Sequence, residues 1–112
     1  MSIKFITSTP NNLLSTFKKA IDNKEVVTWA YDGAGDFTHV TESNQWKNKA
    51  WLRPKIETGQ LVFGIVKSKS VTLTYEIYSV YHGRFIESMI SHCNKLFTSG
   101  TATASPTNDD IV

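Results

Sequence analysis

The stretch YHGRFIESMISHCNKLF, Tyr81 to Phe97, holds two of the chain's three histidines, its only cysteine, an arginine and a glutamate. A thiol with a histidine to deprotonate it is the minimum for nucleophilic catalysis. Helical spacing argues against that use. Phe85, Ile86, Met89, Ile90, Cys93, Leu96 and Phe97 recur at i, i+3, i+4 and i+7, so the segment reads as an amphipathic helix with Cys93 in its apolar stripe. A buried thiol is a small hydrophobe with a raised pKa, the opposite of an activated nucleophile. His92 stands about 100° round the helix from Cys93. His82 is three turns earlier. Arg84, Glu87, Ser88, Ser91 and Lys95 make the wet face. No catalytic set is expected.

Gly83 is the odd residue of that helix. It costs about 1 kcal/mol against alanine in a helix interior. Two explanations suit it: tight packing on a sheet, or room for a ligand. A ligand would occupy a pocket between helix and sheet, with His39, Tyr75, Tyr81, His82 and Arg84 as its candidate lining.

Metal and phosphate chemistry have weaker claims. His39, His82 and His92 lack HxxxH spacing, there is no CxxC pair, and the carboxylates are scattered. Neither a metal nor a cofactor is expected. DGAGD, 32–36, has two glycines but neither the spacing nor the following helix of a phosphate loop, and reads as a hairpin turn.

The most distinctive binding candidate is WKNKAWLRPK, 46–55. Trp46 and Trp51 interleave with Lys47, Lys49, Arg53 and Lys55. On a strand from Ala50, the side chains of Trp51, Arg53 and Lys55 share a face. Rings beside cations suit a single-stranded nucleic-acid groove. They equally suit a protein contact, where Trp and Arg dominate hot spots. The plain alternative is Trp51 in the core, or stacked under Arg53. The wider segment 47–69 carries six cations against Glu57 alone, a basic middle between mildly acidic ends in a chain of net charge +2.

These residues need elements to position them. IKFIT, 3–7, reads as a first strand. Thr9 and Pro10 open a helix over about 10–23, with Leu13, Leu14, Phe17, Ala20 and Ile21 as its stripe. EVVTWAYD and DFTHVT, 25–32 and 36–41, form a hairpin; 42–49 is a polar loop. AWLRPKIE, 50–57, is a strand in which Pro54 argues for an edge or a bulge. QLVFGIVK, 60–67, is apolar on both faces and central. VTLTYEIY, 71–78, alternates like a further strand, and Ser79 caps the last helix.

The order β-α-β-β-β-β-β-α implies an α+β domain of two layers: a mainly antiparallel five- to six-stranded sheet with an N-terminal and a C-terminal helix packed on one face. Residues 1–97 form this single domain, and 98–112 a flexible or loosely docked tail. With 112 residues, one cysteine, and no signal or spanning segment in view, the reading is a cytoplasmic protein outside the membrane. The leading function is a small non-enzymatic binding module acting through a protein partner or self-association, such as an accessory or inhibitory protein. Nucleic-acid binding through 46–55, and a small-ligand protein or enzyme using the helix–sheet pocket, are the alternatives.

Overall fold

The computed structural model describes residues 2–40 and 45–111. Thr41 of the expected second hairpin strand, residues 42–44 of the expected loop, and both terminal residues lie outside the described residues.

Strand β1, Ser2–Ile6, turns Ile3 and Phe5 into the core. Helix α1, Pro10–Asp22, follows. Pro10 takes the first turn, where a missing N–H costs nothing. Thr9 stands at the N-cap, but its side chain makes no capping bond. α1 buries Leu13, Phe17 and Ala20. Strands β2, Trp29–Tyr31, and β3, Phe37–His39, form the expected hairpin. Asp32 organises its turn: one carboxylate oxygen accepts the Ala34 and Asp36 amides at 3.0 Å each. Gly35 supplies the positive φ, +85°.

β4, Ala50–Glu57, and β5, Gln60–Lys67, pair along their full length. Pro54 lies inside this ladder, opposite Phe63. It is tolerated because β3 is short and meets β4 only at Phe37–Leu52. Past that point, among the described residues, no strand on the other side of β4 needs its N–H.

The expected strand over 71–78 is not a strand. Val71–Thr74 forms no regular element, and helix α2 runs from Tyr75 to Cys93. Its N-cap is Thr74, whose hydroxyl accepts the Ile77 amide at 3.2 Å, so Ser79 sits inside the helix. The alternation of VTLTYEIY coincides with a helical set over its second half. Ile77, Tyr78, Tyr81, His82, Phe85, Met89 and Cys93 are all buried along one side. Burying that continuous side outweighed the strand propensity of the Val and Thr residues.

The segment expected to be a loose tail supplies the sixth strand, β6, Ser99–Ala102. β6 pairs antiparallel with the outer side of β1. The single sheet has the order β2-β3-β4-β5-β1-β6, with both helices packed on one face. Beyond β6 the chain rounds the start of β1. Ser2 and Thr103 exchange hydrogen bonds at 3.0 Å, amide to hydroxyl and amide to carbonyl. Ile111 then pairs in parallel with Val66, its amide 2.8 Å from the Ile65 carbonyl. Asp110 accepts the Ile65 amide at 2.8 Å and the Tyr78 hydroxyl at 3.2 Å.

The core is aromatic, and Phe85 is its hub. Its ring lies 4.6 Å from Phe63, 4.9 Å from Trp29 and 5.3 Å from Phe17, all edge to face. Phe85 thus ties α2 to α1, β2 and β5. Each such pair contributes about 0.5–1.5 kcal/mol beyond burial itself.

Candidate functional site

Ala50 and Leu52 of β4 point into the core, so Trp51, Arg53 and Lys55 occupy the face away from the helices, as their spacing implied. There the cations are matched. Arg53 grips the largely buried Asp36 with two bonds of 2.9 and 3.1 Å. These bonds raise the guanidinium pKa. Lys55 reaches Glu57 at 3.2 Å and Asp109 at 3.4 Å. Trp46 is elsewhere: it packs, half-buried, at the edge of the helix-side core. Its carbonyl accepts the Tyr81 hydroxyl at 2.5 Å, and that hydroxyl accepts the Lys49 amide at 2.9 Å. Tyr81 therefore pins the 46–49 turn that carries Lys47. The two tryptophans stand on different sides of the sheet and build no common stacking platform.

The residues expected around one pocket fall on two sides of α2. His39 and Arg84 share a hollow of about 320 Å³ with Trp29 and Glu87. His39 is buried, and burial first, then the Arg84 charge, lowers its pKa and favours the neutral ring. Tyr81 lies behind it, ring centroids 6.0 Å apart. Tyr75 and His82 lie on the other side. The His82 ring packs 4.5 Å from that of Tyr78, with Nδ1 2.8 Å from the Tyr78 carbonyl, which requires the proton on Nδ1. Cys93 is buried in the helix stripe, and burial pushes its thiol up to about 11. Among the described residues, no three His, Cys, Asp or Glu side chains gather in a way that could hold a metal.

The second side of α2 forms a groove with β6. It has a volume of about 340 Å³, and its walls are Tyr75, Ser79, Gly83 and Ile86 from the helix and Ala102 and Ala104 from the chain below. Gly83 decides its shape. A Cβ there would meet nothing within 4 Å. Tight packing on the sheet is thus not what Gly83 serves; the space above it is open. Ser79, Gly83, Ile86 and Ile90 share a face at i, i+4, i+7 and i+11. Ile90 was expected in the core stripe, but it is 51% exposed, as is Tyr75 at 70%.

β6 borders this groove as an edge strand. With Thr103 donating to Ser2, the alternation of an antiparallel ladder turns the backbone groups of Gly100 and Ala102 away from β1. Among the described residues, no strand pairs with that outer edge. Ser99-Gly100-Thr101-Ala102 carries no Lys or Pro; what limits this edge is its length of four residues. Gly100 itself is required on the inner side, where a Cβ would come within 2.9 Å of the Phe5 ring.

The groove was not legible in advance. Its floor came from a segment read as tail, and its opposite wall from residues read in part as strand. The one available signal was Gly83, a poor helix former in a strongly patterned helix. No protein-family model matches this chain, and no curated protein or solved structure does so either.

Proposed function

We propose that this protein is a small non-enzymatic binding module that takes an extended segment of a partner chain along β6, as a seventh strand lying against α2. The observation that carries the reading is the open space over Gly83 beside the unpaired outer edge of β6. Unpaired N–H and C=O groups in a row call for another backbone. A groove flanking them gives alternate side chains of the added strand a place to bury. Exposed Tyr75 and Ile90 supply apolar surface at its two ends.

A protein partner is favoured over nucleic acid because Arg53 and Lys55 are engaged by carboxylates and Trp46 is turned away from Trp51. A non-catalytic role suits a sole thiol that burial holds protonated, and that unbridged thiol suits a reducing compartment such as the cytoplasm.

The test uses two substitutions against peptide binding followed by amide NMR shifts. Ala102→Pro removes an outward N–H and leaves the ladder to β1 intact. Gly83→Leu fills the groove. Both are expected to keep the fold and to lose binding by ten-fold or more. A peptide or partner that binds both variants as well as the natural protein refutes the proposal.

A further inference from the structure

Past Ala102, the wall of the groove continues through Thr103 and Ala104, and Pro106 then borders a second, larger hollow of about 500 Å³. Tyr75 and Tyr78 line both hollows, and their rings stack at 6.3 Å with planes 19° apart. A strand added along β6 therefore leads its next residues past this tyrosine pair into the second hollow. The chemistry changes there. Lys67 and Lys69 line the second hollow with the hydroxyl-bearing Ser68, Ser70, Thr72 and Thr74, and no carboxylate is among its lining residues. Asp110 lies close by, but it already accepts bonds from Ile65, Tyr78 and Thr107. Glu76 is exposed on the first turn of α2, outside the lining.

We infer that the partner segment is acidic: an extended peptide whose apolar residues lie against Gly83 and Ile86, with one or two carboxylates beyond them seated between Lys67 and Lys69. This rests on the strand-addition reading above and adds the partner's charge to it. Among the described residues no carboxylate lines this hollow, so its two lysines attract an acidic chain and disfavour a basic one.

The probes are two ten-residue peptides of alternating Val and Thr, acetylated and amidated, one flanked at both ends by Glu-Glu and the other by Gln-Gln, so that either strand direction brings a pair to Lys67 and Lys69. Amide shifts at 99–104 and 67–70 and the affinities are read at about 50 and 300 mM NaCl. The Glu-Glu peptide is expected to bind about five-fold more tightly at low salt, a preference that shrinks at high salt. The double substitution Lys67→Ser with Lys69→Ser is expected to abolish the preference, bringing the affinity of the Glu-Glu peptide to that of the Gln-Gln peptide. If both peptides shift 99–104 with equal affinity, or the double variant keeps the preference, the acidic specificity is wrong and strand addition stands. If neither peptide shifts 99–104, strand addition fails and takes the acidic specificity with it.

Discussion

Gly64 sits in the middle of β5, opposite Ser2 on one side and Arg53 on the other. A Cβ there would lie 1.8 Å from the Asp109 carbonyl oxygen and 2.5 Å from its carbon. These are backbone atoms, so no rotamer change relieves the clash; Gly64→Ala must lift the chain around Asp109. Three hydrogen bonds tie that chain to β5 itself: Ile111 to Ile65 at 2.8 Å, Lys67 to Ile111 at 3.0 Å, and Ile65 to Asp110 at 2.8 Å. Losing them at about 1 kcal/mol each costs about 3 kcal/mol. The exposed Lys55–Asp109 pair adds little. In a domain of this size, the melting temperature should fall by roughly 10 °C. The control is truncation after Ala104, which removes Asp109 together with the three bonds. In the truncated chain, Gly64→Ala is expected to be neutral or to stabilise by up to about 1 kcal/mol, since alanine restricts the unfolded strand more than glycine does. Thermal or urea melts of the four proteins give the coupling directly. If Gly64→Ala costs the same with and without residues 105–112, Asp109 is not what requires the glycine, and the reasoning fails.

Other outcomes follow from single sites. Gly83→Ala adds a Cβ into open space and should raise stability by about 0.5–1 kcal/mol in a thermal melt; a loss would mean that hidden packing exists there. Gly100→Ala should do the reverse, because the Phe5 ring stands in the way. Thr74→Ala should cost about 1 kcal/mol by removing the cap on Ile77, a loss that Ser79→Ala should not reproduce. The Cys93 thiol is held protonated to about pH 11 in the fold against an ordinary 9.0, so between those values the folded state binds more protons than the unfolded one. Stability should therefore fall as pH rises from 9 towards 11, and Cys93→Ala should flatten that part of the curve in pH-dependent urea titrations.

The sequence alone determined the layer architecture and the fate of Cys93. Both rest on pattern: α1 and the second half of α2 carry helical stripes that are buried or half-buried except at Ile90, and β5 is buried on both faces as its apolar run implied. The start of α2 was misread because VTLTYEIY satisfies two periods at once. Only packing chooses between them, by offering Ile77, Tyr78 and Tyr81 a continuous side against the sheet. β6 was missed because SGTA has no apolar alternation and a single β-branched residue, Thr101; its place depends on the free outer side of β1 and on the room that Gly100 leaves for Phe5. The cations of 47–69 could be counted in advance, but not their partners. Asp36 and Asp109 are distant in sequence from Arg53 and Lys55, and the fold sets them within bonding distance. Gly83 was visible from the start as a cost to its helix. That the space above it is empty, and lies beside an unpaired strand, is a fact of two segments meeting, and tertiary structure alone decides which segments meet.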